Sequence, residues 1–374
     1  MFDLDLSQAV HYHYEQFPPN NLDYSPKLID NLVKATEAIA RYDQMLKNLH
    51  NSEILLAPLR HQEAVISSRM EGTISTLDEI LQYEADFGEH EMPTEVRSDI
   101  IETVLYQRAL KNAQKAMKDG YPFGKSLIKT LHQQLLSFGR GATKSPGQFK
   151  QEQNYLADRN RKNILFVPIS PEKLEHGLDN LFDYINQKNI PVLLRTAVAH
   201  LEFEALHPFQ DGNGRIGRML ITLMLWQEKV ISEPYFYISG YFEEHKDEYS
   251  DLMRRVSKNN DWTAWCVFFL QAVVSQATYN LQIAQNISDL YEQMKPIFSN
   301  TLNSKWAMQV LDFVFTYPVF RGNQLNEKTD ISPASANRFL RTLHNENILM
   351  VKEESSGRRA ALYSFEPMMK LVRV

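Results

Sequence analysis

The twelve residues His207-Pro208-Phe209-Gln210-Asp211-Gly212-Asn213-Gly214-Arg215-Ile216-Gly217-Arg218 bring together a base, a carboxylate, a glycine-flanked turn and two arginines. Gly212 and Gly214 lack a Cβ, so the backbone around Asn213 can turn sharply and gather N–H groups into a concavity that suits an anion. Ile216, Met219, Leu220, Leu223 and Met224 follow at helical spacing. A helix is therefore expected to open at Gly214 and Arg215, with a dipole that also favours phosphate. Arg215 and Arg218 share one face of that helix, and their planar guanidiniums can grip different phosphates of one polyphosphate. Asp211 is a hard oxygen ligand suited to Mg²⁺, and His207, near neutral in intrinsic pKa, can take a proton from an attacking hydroxyl. Together these groups suit phosphoryl or nucleotidyl transfer.

Two other readings use the same residues. In one, a loop enters a helix, the glycines cap, the aspartate makes a turn and the arginines are solvated; it explains each residue singly and the set poorly. In the other, His200, Glu204 and His207, four and three residues apart, are metal ligands on one helical face, which leaves the glycine turn and both arginines without a purpose.

Two upstream segments accompany the run. In Ala64-Val65-Ile66-Ser67-Ser68-Arg69-Met70-Glu71-Gly72 a helix-compatible stretch ends at a glycine cap, with Ser67 and Glu71 one turn apart. Pro146 to Lys150, continuing through Asn163 to Pro168, reads as an extended, turn-rich segment between helices.

The run 207–218 fits H-P-F-x-[D/E]-G-N-G-R-x-x-R at every fixed position and so resembles the signature of the Fic (Fido) family. The resemblance implies a protein adenylyltransferase that moves AMP from ATP to a Ser, Thr or Tyr hydroxyl of a target protein, with the chain itself among the candidate targets. It implies that His207 is the general base and that Asp211 holds Mg²⁺. By the same resemblance Gly212, Asn213 and Gly214 cradle the α-phosphate region, and Arg215 and Arg218 hold the outer phosphates. Ser67, Glu71 and Gly72 are similar to the family's inhibitory motif [S/T]-x-x-x-E-[G/N], which implies that Glu71 competes for Arg218 and leaves ATP in an unproductive pose. Pro146 to Pro168 resembles the family's flap, a β-hairpin that aligns the target by backbone pairing. Relatives often carry arginine where Lys150 stands, so no direct role is inferred for that lysine. Tyr235 to Met253 resembles the region flanking the nucleotide base, which makes Tyr249 and Met253 candidates for the adenine pocket; helix core is the competing reading for both.

The elements that position these groups are mostly helical. Leu28, Ile29, Leu32, Val33 and Ile39 recur at three- and four-residue spacing, so residues 24–83 are expected to form a helical layer ending with the inhibitory helix. Glu84 to Met92, acidic and followed by Pro93, reads as a linker or loop. From Thr94 to about Met294 several amphipathic helices build the catalytic body, with the flap and the catalytic turn as interruptions. Towards the end, Ser332-Pro333 is an N-cap and first-turn pair, and Ala336, Phe339, Leu340 and Leu343 form an apolar stripe, predicting a helix from about Pro333 to Asn345. Leu349 to Glu353 and Arg359 to Phe365 read as strands joined by a wing, and helices are expected over Lys305–Phe315 and near Leu325. The expected fold is mainly α: a Fic-type helical core with a small β-hairpin flap, plus a C-terminal winged helix-turn-helix. Domains are expected at 1–93, 94–295 and 300–374.

Composition fits this organisation. A chain of 374 residues with 43% hydrophobic residues can supply real cores, and a net charge of −6 argues against a surface built for bulk nucleic acid or anionic membrane. One cysteine, Cys266, excludes an internal disulfide. Met1 to Leu6 lacks the pattern of a signal peptide, and the apolar stretch Trp265 to Val274 is too short to span a bilayer, so a cytoplasmic protein without a membrane partner is expected. DNA is a candidate partner, since residues 332–374 hold seven Lys or Arg against four Asp or Glu, with Arg338 and Arg341 towards a groove and Arg358 and Arg359 on the wing. Three functions are thus weighed: a self-restrained AMP-transferase, a DNA-binding regulator with a nucleotide-sensing core, and an enzyme that uses the same groups with water to remove AMP.

Overall fold

The computed structural model describes residues 6–20, 22–49, 52–87, 96–158, 160 and 162–373. A short strand β1 (Val10–His11) leads into helices α1 (Pro26–Asn48), α2 (Ser52–Met70), α3 (Leu77–Phe87), α4 (Ser98–Lys118) and α5 (Lys125–Leu135). Strands β2 (Leu156–Ala157) and β3 (Ile164–Val167) precede α6 (Pro171–Ile185), α7 (Val192–Leu206) and α8 (Asn213–Gln227). Next come α9 (Ser239–Glu244), α10 (Lys246–Asn259) and the 41-residue α11 (Trp262–Leu302). The C-terminal part orders α12 (Ala307–Thr316), β4 (Val319–Arg321), α13 (Gln324–Glu327), α14 (Pro333–Asn345), β5 (Met350–Glu353), β6 (Leu362–Ser364) and α15 (Glu366–Val372). The chain forms two compact units, Met1–Asp43 with Leu105–Thr278 and Gln44–Val104 with Tyr279–Val374.

The first unit is built around α7 and α8, which pack on each other while α6 covers α7. Both central helices are buried on nearly every side, as their apolar sequences require. Gly177 lets α6 approach, since a Cβ there would lie 2.6 Å from Leu206 Cδ2. The Trp265 indole donates to the Ala197 carbonyl at 2.7 Å and so pins α11 to α7. On the flap, β2 pairs antiparallel with β3, and β1 adds a parallel strand on the other side, with Val10 opposite Phe166 and His11 opposite Val167. That third strand has no signal in the sequence, because two residues carry no readable alternation.

In the second unit α2 ends as its sequence implies. Gly72 takes φ +91°, Gly72 N donates to Arg69 O and Thr73 N to Ser68 O, which is the Schellman arrangement with Glu71 as the last half-helical residue. The following turn is tied to α4 by Ser75 Oγ against Thr103 Oγ1 at 2.9 Å. The layer expected over 24–83 does not end with α2, because α3 follows. Residues 84–87, expected as linker, belong to α3; Glu84 pairs with His61 at 2.8 Å and Asp86 with Arg321 at 2.6 Å, so these acids serve packing. Residues 88–92 and Pro93 of that linker lie outside the described residues.

The C-terminal sheet has the order β4-β6-β5, all antiparallel. Ser332 caps α14 through Ser335 N, Pro333 stands in its first turn, and Ala336, Phe339, Leu340 and Leu343 are buried beneath it. Strand β4 and helix α15 are additions to the expected elements. Besides Arg321, three basic residues of this region pair internally. Arg359 pairs with Asp86 at 2.7 Å, Arg373 forks onto Asp78 at 2.9 Å and Glu366 at 2.8 Å, and Lys352 approaches the same two carboxylates. Arg359, expected on the wing as a candidate for phosphate contact, is therefore paired with α3 instead.

The Arg373 guanidinium, with Ser364 and Lys352, holds the Glu366 carboxyl down at about 2. A depressed folded-state pKa gives stability that is present above the ordinary carboxylate range and lost as pH falls through about 2. Thermal melts across that acid range should show Glu366→Gln with a shallower pH dependence than the parent chain; equal slopes would count against the cluster.

Candidate active site

Helix α7 stops at His207, which adopts the left-handed conformation (φ 46°, ψ 62°) while its N–H still bonds Phe203 O at 3.0 Å. The ring's Nδ1 donates to Glu204 O at 3.3 Å, so the lone pair sits on Nε2, the nitrogen suited to take a proton. A second left-handed residue, Gly212 (φ 78°), starts α8 at Asn213. The turn thus falls on Gly212 alone, and Gly214 lies inside the first helical turn. Gly212 brings no side chain of its own to cap that turn, so the N-terminus of α8 turns backbone N–H groups to the side of Asp211, which is the arrangement of an anion site.

The loop between the two helices is held from three sides. Asn213 closes it from within, accepting from Phe209 N at 2.9 Å and donating to Phe209 O at 2.8 Å. From the flap side Asn154 donates to His207 O at 3.2 Å and Phe209 O at 3.0 Å, and Lys150 Nζ donates to Leu206 O at 3.1 Å and to Asn154 Oδ1 at 2.8 Å. Lys150 N also donates to Pro208 O at 2.8 Å. From α5, His132 stacks on Phe209 with ring centroids 3.8 Å apart, accepts from Gly147 N at 2.8 Å on Nδ1 and donates from Nε2 to Asp211 O at 3.0 Å. Sequence reasoning missed His132 and Asn154 and gave Lys150 no direct role. Their signal is tertiary, since each acts on backbone carbonyls dozens of residues away.

Electrostatics follow from burial. Arg215 and Arg218 are 2% and 3% exposed. Burial pushes the Lys150 ammonium down to about 7. Burial, aided by the Arg215 charge, pushes His132 down to about 4, and burial followed by the Arg218 charge pushes His200 to about 3. Both histidines are thus neutral beside the two guanidiniums. His200 has both nitrogens engaged, Nδ1 with Gly217 O at 3.1 Å and Nε2 with the Tyr249 hydroxyl at 2.8 Å. The His200, Glu204 and His207 metal set is accordingly not assembled, and no cluster of three potential metal-ligating residues occurs among the described residues. Asp211 is half-buried, with Oδ1 accepting from Gly212 N at 2.7 Å.

A cavity of about 170 Å³ opens between flap, α7 and α10, lined by Leu156, Leu165, Leu201, Ala205 and Met253 among others. Met253 therefore borders an apolar cavity beside the last turns of α7. Tyr249 does not line it; its ring packs on Phe242 and Trp265. In the second unit, Ser67 is fully buried in α2 and Glu71 is exposed at its end.

A helix, a left-handed histidine, a turn closed by an asparagine and a second helix opening on glycine and arginine, with a hairpin flap before them, define a Fic-type core. Residues 29–115 match the Fic/DOC family N-terminal model and residues 122–225 the Fic/DOC family model, together just over half of the chain. The chain belongs to the Fic/Fido family. Over 101 residues it is 31% identical to protein adenylyltransferase fic-1 of Caenorhabditis elegans, covering 26% of this chain and 18% of that one. Over 68 residues it is 32% identical to a probable protein adenylyltransferase of Aquifex aeolicus, covering 18% and 21%. The matched part is thus about a fifth of the length of these curated relatives. A Fic family protein from Desulfovibrio desulfuricans shares the fold over 92% of this chain and 97% of that chain, with TM-score 0.58 and 18% identity. Residues 134–508 of Fic-1 from C. elegans do so over 71% and 75%, with TM-score 0.55 and 17% identity.

Asn213→Ala leaves the buried Phe209 N–H without its partner and the Phe209 C=O with Asn154 alone, and should lower stability by about 2 kcal/mol in urea unfolding; a loss near zero would mean the loop holds itself. Because His132 is lowered from 6.5 to about 4, the unfolded chain binds a proton first, and stability should fall as pH drops through that interval. His132→Gln should flatten that slope in urea titrations run at successive pH values, and an unchanged slope would refute the neutral, buried ring.

Proposed function

We propose that this protein is a protein adenylyltransferase that transfers AMP from ATP to a side-chain hydroxyl of a target protein and is restrained by its own Glu71. The carrying observation is the placement of His207 at the end of α7, with Nδ1 turned to Glu204 O, directly before the uncapped N-terminus of α8 that bears Arg215 and Arg218. The adenylyltransferase names of the relatives from C. elegans and A. aeolicus support it.

In this reading the triphosphate lies over the first turn of α8. Gly212, whose N–H is held by Asp211, shapes the cradle in which Asn213 and Gly214 offer N–H groups to the α-phosphate, and Arg215 and Arg218 bind the outer phosphates. Nε2 of His207 takes the hydroxyl proton as the acceptor oxygen bonds to the α-phosphorus; the bond to the bridging oxygen breaks and pyrophosphate leaves. Little covalent work falls to the protein, so positioning and charge supply most of the rate. The half-buried Asp211 carboxylate fits a magnesium ion held by one carboxylate and substrate phosphates, and that ion, when bound, neutralises phosphate charge. The cavity beside Met253 is the candidate for the adenine ring, and its apolar lining favours a purine face. Tyr249, packed inward, is left to hold His200 through its hydroxyl.

Restraint is assigned to residues 1–93, catalysis to 94–295 and docking to 300–374. Glu71, on the exposed end of α2, is the group that would compete with the γ-phosphate for Arg218. The C-terminal elements are read as a winged helix that docks and regulates; this is supported by the use of Lys352, Arg359 and Arg373 in ion pairs with Asp78, Asp86, Glu353 and Glu366, which leaves a weaker basic surface for DNA.

The test is transfer of α-phosphate-labelled ATP to the chain itself and to a cell lysate. Glu71→Gly should raise labelling at least about tenfold, and adding His207→Ala should abolish it. Labelling that persists without His207, or that is absent from every form, would overturn the assignment.

A further inference from the structure

The N-terminal strand β1 precedes the residues that either family model matches, yet it completes the flap. Its pairing with β3 is only two residues long, extended by Tyr12 N donating to Val167 O at 2.9 Å. So short a ladder is marginal by itself, and its register must come from side chains.

Those side chains converge on Glu202, a fully buried carboxylate on α7 five residues before His207. The Tyr12 hydroxyl donates to Glu202 Oε1 at 2.5 Å, and His13 Nε2 meets Oε2 at 2.8 Å. The other His13 nitrogen reaches Ser257 Oγ on α10 at 2.8 Å, and the His13 ring stands edge-on to Trp262 at 5.2 Å. One residue on, the Tyr14 hydroxyl accepts from Ser170 N at 3.1 Å, at the exit of the flap. A buried carboxylate needs donors on both oxygens, and the two residues that follow β1 supply them.

We infer that Tyr12 and His13 are positioning residues: by latching β1 onto Glu202 they fix the flap to the helix that carries His207. The inference rests on the adenylyltransferase reading and deepens it. With the far side of β3 occupied by β1, the hairpin's own open edge is β2, which can take an incoming extended segment, and the latch sets the distance from that edge to the base. A displacement near 1 Å at the acceptor costs rate steeply, so the latch acts on the efficiency of transfer to the acceptor, and Leu156 and Leu165 of the same flap pass a smaller part of the loosening to the cavity beside Met253.

The experiment compares the full chain with the Tyr12→Phe/His13→Ala double variant and with His13→Gln, each in the Glu71→Gly background. Hydrogen exchange is followed in peptides covering residues 156–168. Transfer of labelled AMP to the His207→Ala chain as acceptor gives KM and kcat, and calorimetry gives ATP affinity. The double variant should exchange faster in the flap and lower acceptor kcat/KM about tenfold, beyond any change in ATP affinity; His13→Gln, which keeps a donor towards Glu202, should restore most of that efficiency. Unchanged flap exchange would overturn the latch, and faster exchange with unchanged kcat/KM would overturn the positioning role. Loss of transfer in the Glu71→Gly parent itself would count against the adenylyltransferase reading, while hydrogen exchange still decides whether the latch holds the flap.

Discussion

The chain leaves α7 at His207 in a left-handed conformation, and the carbonyls that lose helical partners there must be satisfied by something else. Most of the surrounding structure answers that requirement. Leu206 O is taken by Lys150, His207 O by Asn154, Phe209 O by Asn154 and Asn213, and Asp211 O by His132. The donors come from three parts of the chain, so α5, the flap and α8 all bear on one loop. The cost of the unusual turn is thereby converted into rigidity, which a reaction governed by positioning needs.

The same burial sets the charge of the site. Two guanidiniums lie in the interior next to His132 and His200, and both rings are driven neutral. A neutral ring can present an acceptor to one neighbour and a donor to another, as His132 does between Gly147 N and Asp211 O. Positive charge is therefore concentrated on Arg215, Arg218 and the first turn of α8, where a polyphosphate would meet it.

What the sequence made legible was local. The signature run gave the turn, the second helix and the family; Gly72 gave the end of α2, and Ser332-Pro333 with its apolar stripe gave α14 at its observed bounds. The misses are long-range. His132 and Asn154 act through backbone groups whose partners no spacing rule can name, and β1 is too short to show alternation. Glu84 and Asp86 looked like loop residues because a sequence does not reveal that His61 and Arg321 stand opposite them. Within the adenine candidates the ambiguity was physical: an aromatic and a thioether on one helix suit a pocket or a core, and Met253 borders the cavity while Tyr249 packs inward.

The most direct measurement is a crystal structure of the Glu71→Gly chain with a non-hydrolysable ATP analogue. The account places the triphosphate over the first turn of α8 within hydrogen-bond reach of Arg215 and Arg218, with adenine in the cavity bordered by Leu156, Leu165 and Met253. A nucleotide whose phosphates lie away from α8, or whose base lies outside that cavity, would contradict it.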